Sequence, residues 1–119
     1  MNVAILGASD RHDRYAHTAM LRLEEKGHRV FPVNPSLSSI DGRIVYPSLT
    51  DIDEKIDTVT VYVQNRISSE NAEGILAIKP RRIIFNPGAE NPELAKRAEG
   101  EGIIVIDGCT LVLLSTGQF

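Results

Sequence analysis

Apolar runs alternate with stretches of helical periodicity along most of the chain. Val3–Leu6 contains four apolar residues in succession, as expected of a strand that is covered on both faces. The segment Arg14–Lys26 spaces its apolar residues three or four positions apart and is followed by Gly27, which predicts a helix with a glycine stop. Val30–Val33 predicts a second strand, with a local gap in pairing at Pro32 because proline has no backbone N–H to donate.

The same alternation continues to the end of the chain. Ser68 is a candidate cap for a helix that ends before Pro80, and Asn91 is a candidate cap for the next helix. We expect a loop or a small excursion of the chain from the sheet at residues 36–56. The apolar tail 110–119 is expected to form a short helix or an interface. Three further strands are predicted at Thr58–Val63, Ile83–Phe85 and Ile103–Ile106.

Strands that alternate with helices are typical of βαβ units. The sequence therefore predicts an α/β fold, a single Rossmann-like, doubly wound parallel sheet of five strands in the order 3-2-1-4-5. Helices should cover both faces of this sheet. We expect one domain over residues 1–119, since this length suits a single core.

Charge and cysteine content narrow the class of function. The formal net charge is -3, so no overall basic field favours nucleic acid or a membrane surface. Cys109 is the single cysteine and has no partner for an internal disulfide, which favours a reducing compartment. The start of the chain lacks the features of a signal peptide, and no apolar run approaches the ~20 residues of a membrane span. We therefore expect a cytoplasmic protein.

Polar or glycine-rich residues follow all five predicted strands. In open parallel sheets ligands bind at the carboxyl ends of the strands, where the strand order reverses. The first of these ends leads directly into a helix, whose amino end can hold a phosphate. The five strand ends are Gly7–Ser9, Asn34–Pro35, Gln64–Arg66, Asn86–Glu90 and Asp107–Cys109.

The first loop does not contain a complete dinucleotide fingerprint. Gly7 fills the first position of G-x-G-x-x-G, but Ser9 and His12 occupy the other two glycine positions. The acidic residue expected after the second strand is replaced by Asn34. Arg14 flanks the loop and could pair with phosphate oxygens. The two departures from the fingerprint count against NAD.

The sequence does not support a metal site or a reactive cysteine. His12 and His17 lie near Asp10 and Asp13, but their spacing matches no metal signature, so no metal is expected. Cys109 has no evident activating base nearby in the sequence. We therefore expect no catalytic residues and no enzymatic activity.

Three segments resemble a known family. They are Val3–Ser9, Gly27–Pro35 and Ile40–Gly42 with Tyr46–Leu49. The segments look like those of the small, free-standing CoA-binding domain proteins, which are similar to the CoA-binding domain of the succinyl-CoA synthetase alpha subunit. The resemblance covers nearly the whole chain and is most specific at Pro32–Pro35, where the family carries the same proline.

The resemblance implies that CoA or an acyl-CoA lies across the first two strands. The loop after the first strand would hold the diphosphate, and Val33–Pro35 would flank the adenosine. The residues implied in cofactor binding are Gly7, Ala8, Ser9, Arg14, Ala16, His17, Val33, Asn34, Pro35 and Gly88.

The chain departs from the family at three places. Tyr15–His17 stands where proline-serine-histidine is expected, Asn86–Pro87 replaces a glutamine, and Gly108 replaces an arginine. Two alternatives therefore stay open beside CoA binding. One is a small NAD(P)-binding, oxidoreductase-like protein, and the other is a regulatory or interaction domain with a decayed nucleotide site. A homodimer formed through the apolar tail is a further possibility.

Overall fold

A computed structural model describes residues 1–119 and contains seven strands and five helices. The strands are β1 (Asn2–Leu6), β2 (Arg29–Val33), β3 (Ser39–Ile40), β4 (Arg43–Ile44), β5 (Thr58–Val61), β6 (Arg82–Phe85) and β7 (Ile104–Asp107). The helices are α1 (Tyr15–Glu25), α2 (Asn65–Glu70), α3 (Ala72–Ala77), α4 (Pro92–Gly100) and α5 (Thr110–Ser115), with a 3-10 turn at Leu49–Asp51. No helix is long and apolar enough to cross a membrane.

Five of the strands form one parallel sheet in the order β2-β1-β5-β6-β7. The predicted α/β, Rossmann-like fold is therefore confirmed. When a short segment at Tyr46 is counted as the third strand, the order reads 3-2-1-4-5-6, which agrees with the predicted 3-2-1-4-5 over its first five places, because Tyr46 forms a parallel bridge to Val33 at the outer side of β2. The segment Thr58–Val63 was given this third place, and that assignment was wrong. β5 instead pairs with β1 on the opposite side from β2.

The two faces of the sheet bury separate apolar clusters, because successive side chains of a strand point to opposite faces. Ala4 and Leu6 of β1 belong to the larger cluster, to which α3 and α4 contribute. Val3 and Ile5 belong to the smaller cluster, to which α1 contributes, together with Leu114 of α5. Helices therefore cover both faces, and the apolar tail packs as a short helix against the core.

Pro32 lies within β2 without interrupting its pairing to β1. The N–H and C=O groups of one strand residue point to the same side of the strand. The carbonyl of Pro32 accepts a hydrogen bond from the amide of Tyr46 on the outer side of β2, at 2.9 Å. The N–H that proline lacks would face the same outer side. The expected gap in pairing therefore does not affect the bond to β1.

Of the two predicted helix caps, one is confirmed and the other is wrong. Asn91 caps α4 as predicted, because its side chain accepts a hydrogen bond from the amide of Leu94 at 3.1 Å. Ser68 does not cap a helix, since α2 already begins at Asn65. Ser68 is instead buried, and its hydroxyl donates to the carbonyl of Asn65 at 3.2 Å.

Candidate functional site

Gly7 turns the chain from β1 into the first loop. Its φ is +92°, and a Cβ at this position would lie 2.7 Å from Cγ1 of Val63. The amides of Gly7 and Ala8 both donate to the carbonyl of Val33, each at 3.1 Å. This pair of bonds fixes the loop to the end of β2. It also means that these two amides are not free to bind a phosphate.

The amino end of α1 has free backbone donors. Arg14 occupies the cap position but makes no side-chain capping bond. The amides of Tyr15 and Ala16 have no hydrogen-bond partner in the chain. Both residues line an open groove. The amino end of a helix carries a partial positive charge as well as free N–H groups, so this end can bind an anion.

The groove lies at the carboxyl edge of the sheet and has a volume of about 650 Å³. This volume falls within the ~300 to 1,000 Å³ that is usual for small-molecule sites. Most of its lining comes from the first loop, the start of α1 and the residues after β2. The lining residues are Gly7, Ala8, Ser9, Asp10, Arg11, Asp13, Arg14, Tyr15, Ala16, Asn34, Ser36, Leu37, Tyr62 and Pro87.

The structure brings most of the predicted cofactor residues to this groove, but not all of them. The six that line it are Gly7, Ala8, Ser9, Arg14, Ala16 and Asn34. Val33 is buried and contributes its carbonyl to the first loop. Pro35 and Gly88 are exposed outside the lining, and His17 is buried and faces Asp41.

Asn34 is a positioning residue at the border of the groove. Its amide nitrogen donates to the carbonyl of Ala8 at 2.8 Å, and its side-chain oxygen accepts from the amide of Ser36 at 2.8 Å. These two bonds join the loop after β1 to the loop after β2. The side chain that stands at the expected ribose-binding position is therefore used to hold the protein itself.

Two arginines lie at the groove, and only one of them has an acidic partner. Arg11 pairs with Asp13 at 3.2 Å, with both side chains well exposed. Such exposed pairs contribute little to stability and exchange readily for another partner. Arg14 forms no ion pair with the chain. The groove therefore presents one unpaired guanidinium beside the free amides of α1.

Sequence reasoning missed several lining residues. Ser36 and Leu37 follow directly after the predicted strand end at Asn34, so the chain order could have indicated them. Tyr62 was missed because its strand was expected beyond β2, far from the first loop. In the structure β5 adjoins β1, and this brings Tyr62 to the groove.

The hydroxyl of Tyr62 is buried and has no hydrogen-bond partner. It approaches the hydroxyls of Thr60 and Thr110, which bond to each other at 2.7 Å instead. Burial raises the pKa of Tyr62 to about 12, so the phenol is neutral at physiological pH.

Asn86 holds together the strand ends beyond this tyrosine. Its amide nitrogen donates to the hydroxyl of Thr60 at 2.7 Å and to the carbonyl of Val61 at 2.9 Å. Its side-chain oxygen accepts from the amide of Thr110 at 2.8 Å, at the start of α5. Asn86 is 2% exposed. Asn86 therefore has a structural role here.

The two histidines near the first loop do not face Asp10 or Asp13. Nε2 of His17 lies 2.7 Å from Oδ2 of Asp41, and Nε2 of His12 lies 3.4 Å from the same oxygen. The hydrogen bond from His17 is the largest cause of a lowered pKa of the Asp41 carboxyl, with a smaller contribution from His12.

An open parallel sheet with a groove at its carboxyl edge is typical of a class of α/β ligand-binding domains. The sequence profile of the CoA binding domain family matches residues 1–115. The chain belongs to this family.

Individual relatives agree with this assignment. A crystal structure of an uncharacterized protein superposes with a TM-score of 0.93 and 40% sequence identity, covering 99% of this chain and 97% of the other. The uncharacterized protein YneT of Bacillus subtilis is 29% identical over 111 residues, which is 92% of this chain and 82% of YneT. The ADP-forming acetate–CoA ligase of Methanocaldococcus jannaschii is 31% identical over 64 residues, which is 54% of this chain but 9% of that ligase.

Proposed function

We propose that the protein binds CoA or an acyl-CoA in the groove at the carboxyl edge of the sheet and carries out no chemistry of its own. The observation that carries this proposal is the pair of unpartnered amides at Tyr15 and Ala16, two residues that line the groove at the amino end of α1. Membership of the CoA-binding domain family indicates which anion-bearing ligand to expect.

The diphosphate would lie against the start of α1. The free amides of Tyr15 and Ala16 and the partial positive charge of the helix end favour negative charge there. The guanidinium of Arg14 supplies a full positive charge at the same place. Ser9 stands in the loop below them, and its hydroxyl accepts from the amide of Arg11 at 3.1 Å. The phosphate oxygens would thus be bound by α1 and Arg14 and not by the amides of Gly7 and Ala8.

The apolar part of the groove lining suits the uncharged parts of the ligand. Leu37, Tyr62 and Pro87 contribute hydrophobic or aromatic surface to the groove. Ligand sites commonly combine such surface with a few polar groups that fix orientation. The groove is open to solvent, and a long, jointed molecule such as CoA can extend out of it.

The residues that line the groove also help to distinguish CoA binding from the alternative functions. No acid stands at the end of β2 to bind a ribose diol, and the side chain of Asn34 is already engaged with the loop. These features support CoA over NAD(P). No histidine, cysteine or lysine lines the groove, which supports a binding role over an enzymatic one. A cytoplasmic setting belongs to the same proposal and rests on the single, unpaired Cys109.

The surface available for self-association is small. Leu114 of the apolar tail is buried in the core, so it is not available to a partner. Val112 is 55% exposed and Ile104 of the edge strand β7 is 54% exposed. A homodimer would use these two residues and the free edge of β7.

The substitution Ser9→Asp tests the ligand site without disturbing the core. A carboxylate about 4 Å from a phosphate, at an effective dielectric of ~20, repels it by up to ~4 kcal/mol. Even half of this energy weakens binding by more than tenfold. The unliganded protein should keep its melting temperature, because Asp can still accept from the amide of Arg11 and acids are tolerated near a helix amino end.

The measurement is a thermal-shift titration with CoA, acetyl-CoA, NAD and NADP. Ser39→Asp adds the same charge on an exposed residue outside the groove and serves as the control. We expect the parent and the control to be stabilised by CoA and the Ser9→Asp protein to lose this shift. A Ser9→Asp protein that binds CoA as tightly as the parent would show that the ligand does not lie on this loop. Stabilisation of the parent by NAD alone would favour the oxidoreductase-like alternative, and no shift with any ligand would favour a decayed site.

A further inference from the structure

Three side chains of the types that ligate metal ions lie close together outside the groove. His12 precedes α1, His17 lies in its first turns, and Asp41 lies in the turn between β3 and β4. One ligand atom from each lies within 4.8 Å of the other two. None of the three residues lines the groove. The cluster is therefore separate from the proposed CoA site, although the neighbours of His12 belong to that site.

The two imidazole rings approach the same carboxylate oxygen. Their centroids are 4.2 Å apart and the rings are inclined by 19°, which is a stacked arrangement. A neutral imidazole carries a nitrogen lone pair, which can bind a metal ion.

The backbone holds Asp41 in place for this contact. Asp41 and Gly42 have φ values of +48° and +81°, as the two-residue turn of a tight hairpin requires. Arg43 in the same hairpin donates to both carboxylate oxygens of Glu24 in α1, at 2.7 and 2.5 Å. The hairpin and α1 are thus joined close to the cluster.

We propose that His12, His17 and Asp41 bind a divalent transition-metal ion of the Zn²⁺ type. Imidazole nitrogens with one carboxylate oxygen suit Zn²⁺, Co²⁺ or Ni²⁺, whereas Mg²⁺ and Ca²⁺ prefer oxygen ligands alone. Three protein ligands leave a fourth position of a tetrahedral site for water.

The distances between ligand atoms are close to those of a metal site, but the His12 ring must turn to receive the ion, because the stacked rings hold their in-plane lone pairs in nearly parallel planes. Metal–ligand distances of ~2.0 Å in a tetrahedron place the ligand atoms about 3.3 Å apart. His12 already lies 3.4 Å from the Asp41 oxygen, whereas His17 lies 2.7 Å from it and would move apart. The exposed His12 ring is free to rotate about the buried His17 ring. The separation in sequence between the histidines and Asp41 explains why local spacing gave no metal signature.

The test uses the full chain without a histidine tag and without CoA, so its result does not depend on the proposed function. Binding of Zn²⁺ is measured by calorimetry, and Co²⁺ is used as a spectroscopic probe of tetrahedral geometry. His12→Ala and Asp41→Asn each remove one ligand from an exposed position, and Asn tolerates the positive φ at residue 41. His28→Ala removes the one histidine outside the cluster and is the matched control.

We expect the parent and the His28→Ala protein to bind one ion per chain with the same affinity. Loss of a residue that only orients a metal ligand already weakens metal binding by 10- to 100-fold. The His12→Ala and Asp41→Asn proteins should therefore bind at least tenfold more weakly and lose the tetrahedral Co²⁺ spectrum. Absence of binding in the parent, or equal affinity in all four proteins, would overturn the proposal.

Discussion

Two halves of the same sheet edge use their polar residues in opposite ways. After β1 and β2, the loops leave backbone amides and the Arg14 guanidinium unpartnered around an open groove. After β6, the polar side chains of Asn86 and Asn91 are bonded inside the protein. The first half can bind a ligand, and the second half stabilises the fold.

Asn91 shows that the polar side chains of the second half are hydrogen-bonded within the protein. Its amide nitrogen donates to the hydroxyls of Ser68 and Ser69, at 2.8 and 2.9 Å, and its oxygen caps α4 through Leu94. The residue is 1% exposed. A polar strand end therefore indicates a ligand site only where its hydrogen-bonding groups are left without partners in the chain.

Replacing Asn86 with Ala should have the largest effect on stability. The substitution leaves the buried amide of Thr110 without an acceptor and removes the two donations to β5. An unsatisfied buried group costs about 1–3 kcal/mol, so we expect the free energy of unfolding to fall by about 3 kcal/mol. Urea denaturation measures this change.

Asn34→Ala is the matched substitution on the open half. Asn34 is only partly buried and makes two bonds to neighbouring loops, so its loss should cost about 1 kcal/mol. Equal losses for Asn34 and Asn86 would contradict the division of the sheet edge into an open and a closed half.

Gly7→Ala should have the next largest effect. A Cβ at Gly7 meets Val63 at 2.7 Å in addition to the strain of a positive φ, and we expect a loss of about 2 kcal/mol. Gly27 has a similar φ of +86° but open space around it. Gly27→Ala therefore isolates the backbone strain and should cost about 1 kcal/mol. Thermal unfolding measures both losses of stability. If Gly7→Ala and Gly27→Ala lower the free energy of unfolding equally, the close approach at Gly7 does not contribute to stability.

Tyr62→Phe should have the smallest effect on stability. The phenol hydroxyl is buried without a partner, so its removal relieves a desolvation cost and breaks no bond. We expect unfolding at neutral pH to be unchanged or up to about 1 kcal/mol more costly. A clear destabilisation would show that the hydroxyl belongs to the bonded network of Thr60 and Thr110.

The fold could be predicted because its signals are local. Each apolar run is short and contiguous, and the Asn91 cap depends on residues three positions away. The place of Thr58–Val61 in the sheet could not be predicted in this way. A bridge of one residue, Tyr46, occupies the outer side of β2, and its apolar neighbours did not distinguish it from a loop.

The site was predictable only in part for the same reason. The first loop and Asn34 follow directly from the ends of β1 and β2 and line the groove. His17 stays a prediction as a cofactor residue, but it lies outside the groove lining and faces Asp41, which lies 24 residues away in sequence on a separate hairpin. Ser68 was assigned as a cap, but its burial beside Asn91 determines its bonds. Contacts between distant segments decided each of these cases.

The central claim is that CoA binds the open half of the sheet edge, and NMR titration tests it most directly. Addition of CoA to the isotope-labelled protein should shift the amide signals of residues 7–16 and of Asn34, Ser36 and Leu37, including those of Tyr15 and Ala16. The amides of α3 and α4 on the closed half should not move. Shifts confined to the closed half, or no shifts at millimolar CoA, would contradict the account.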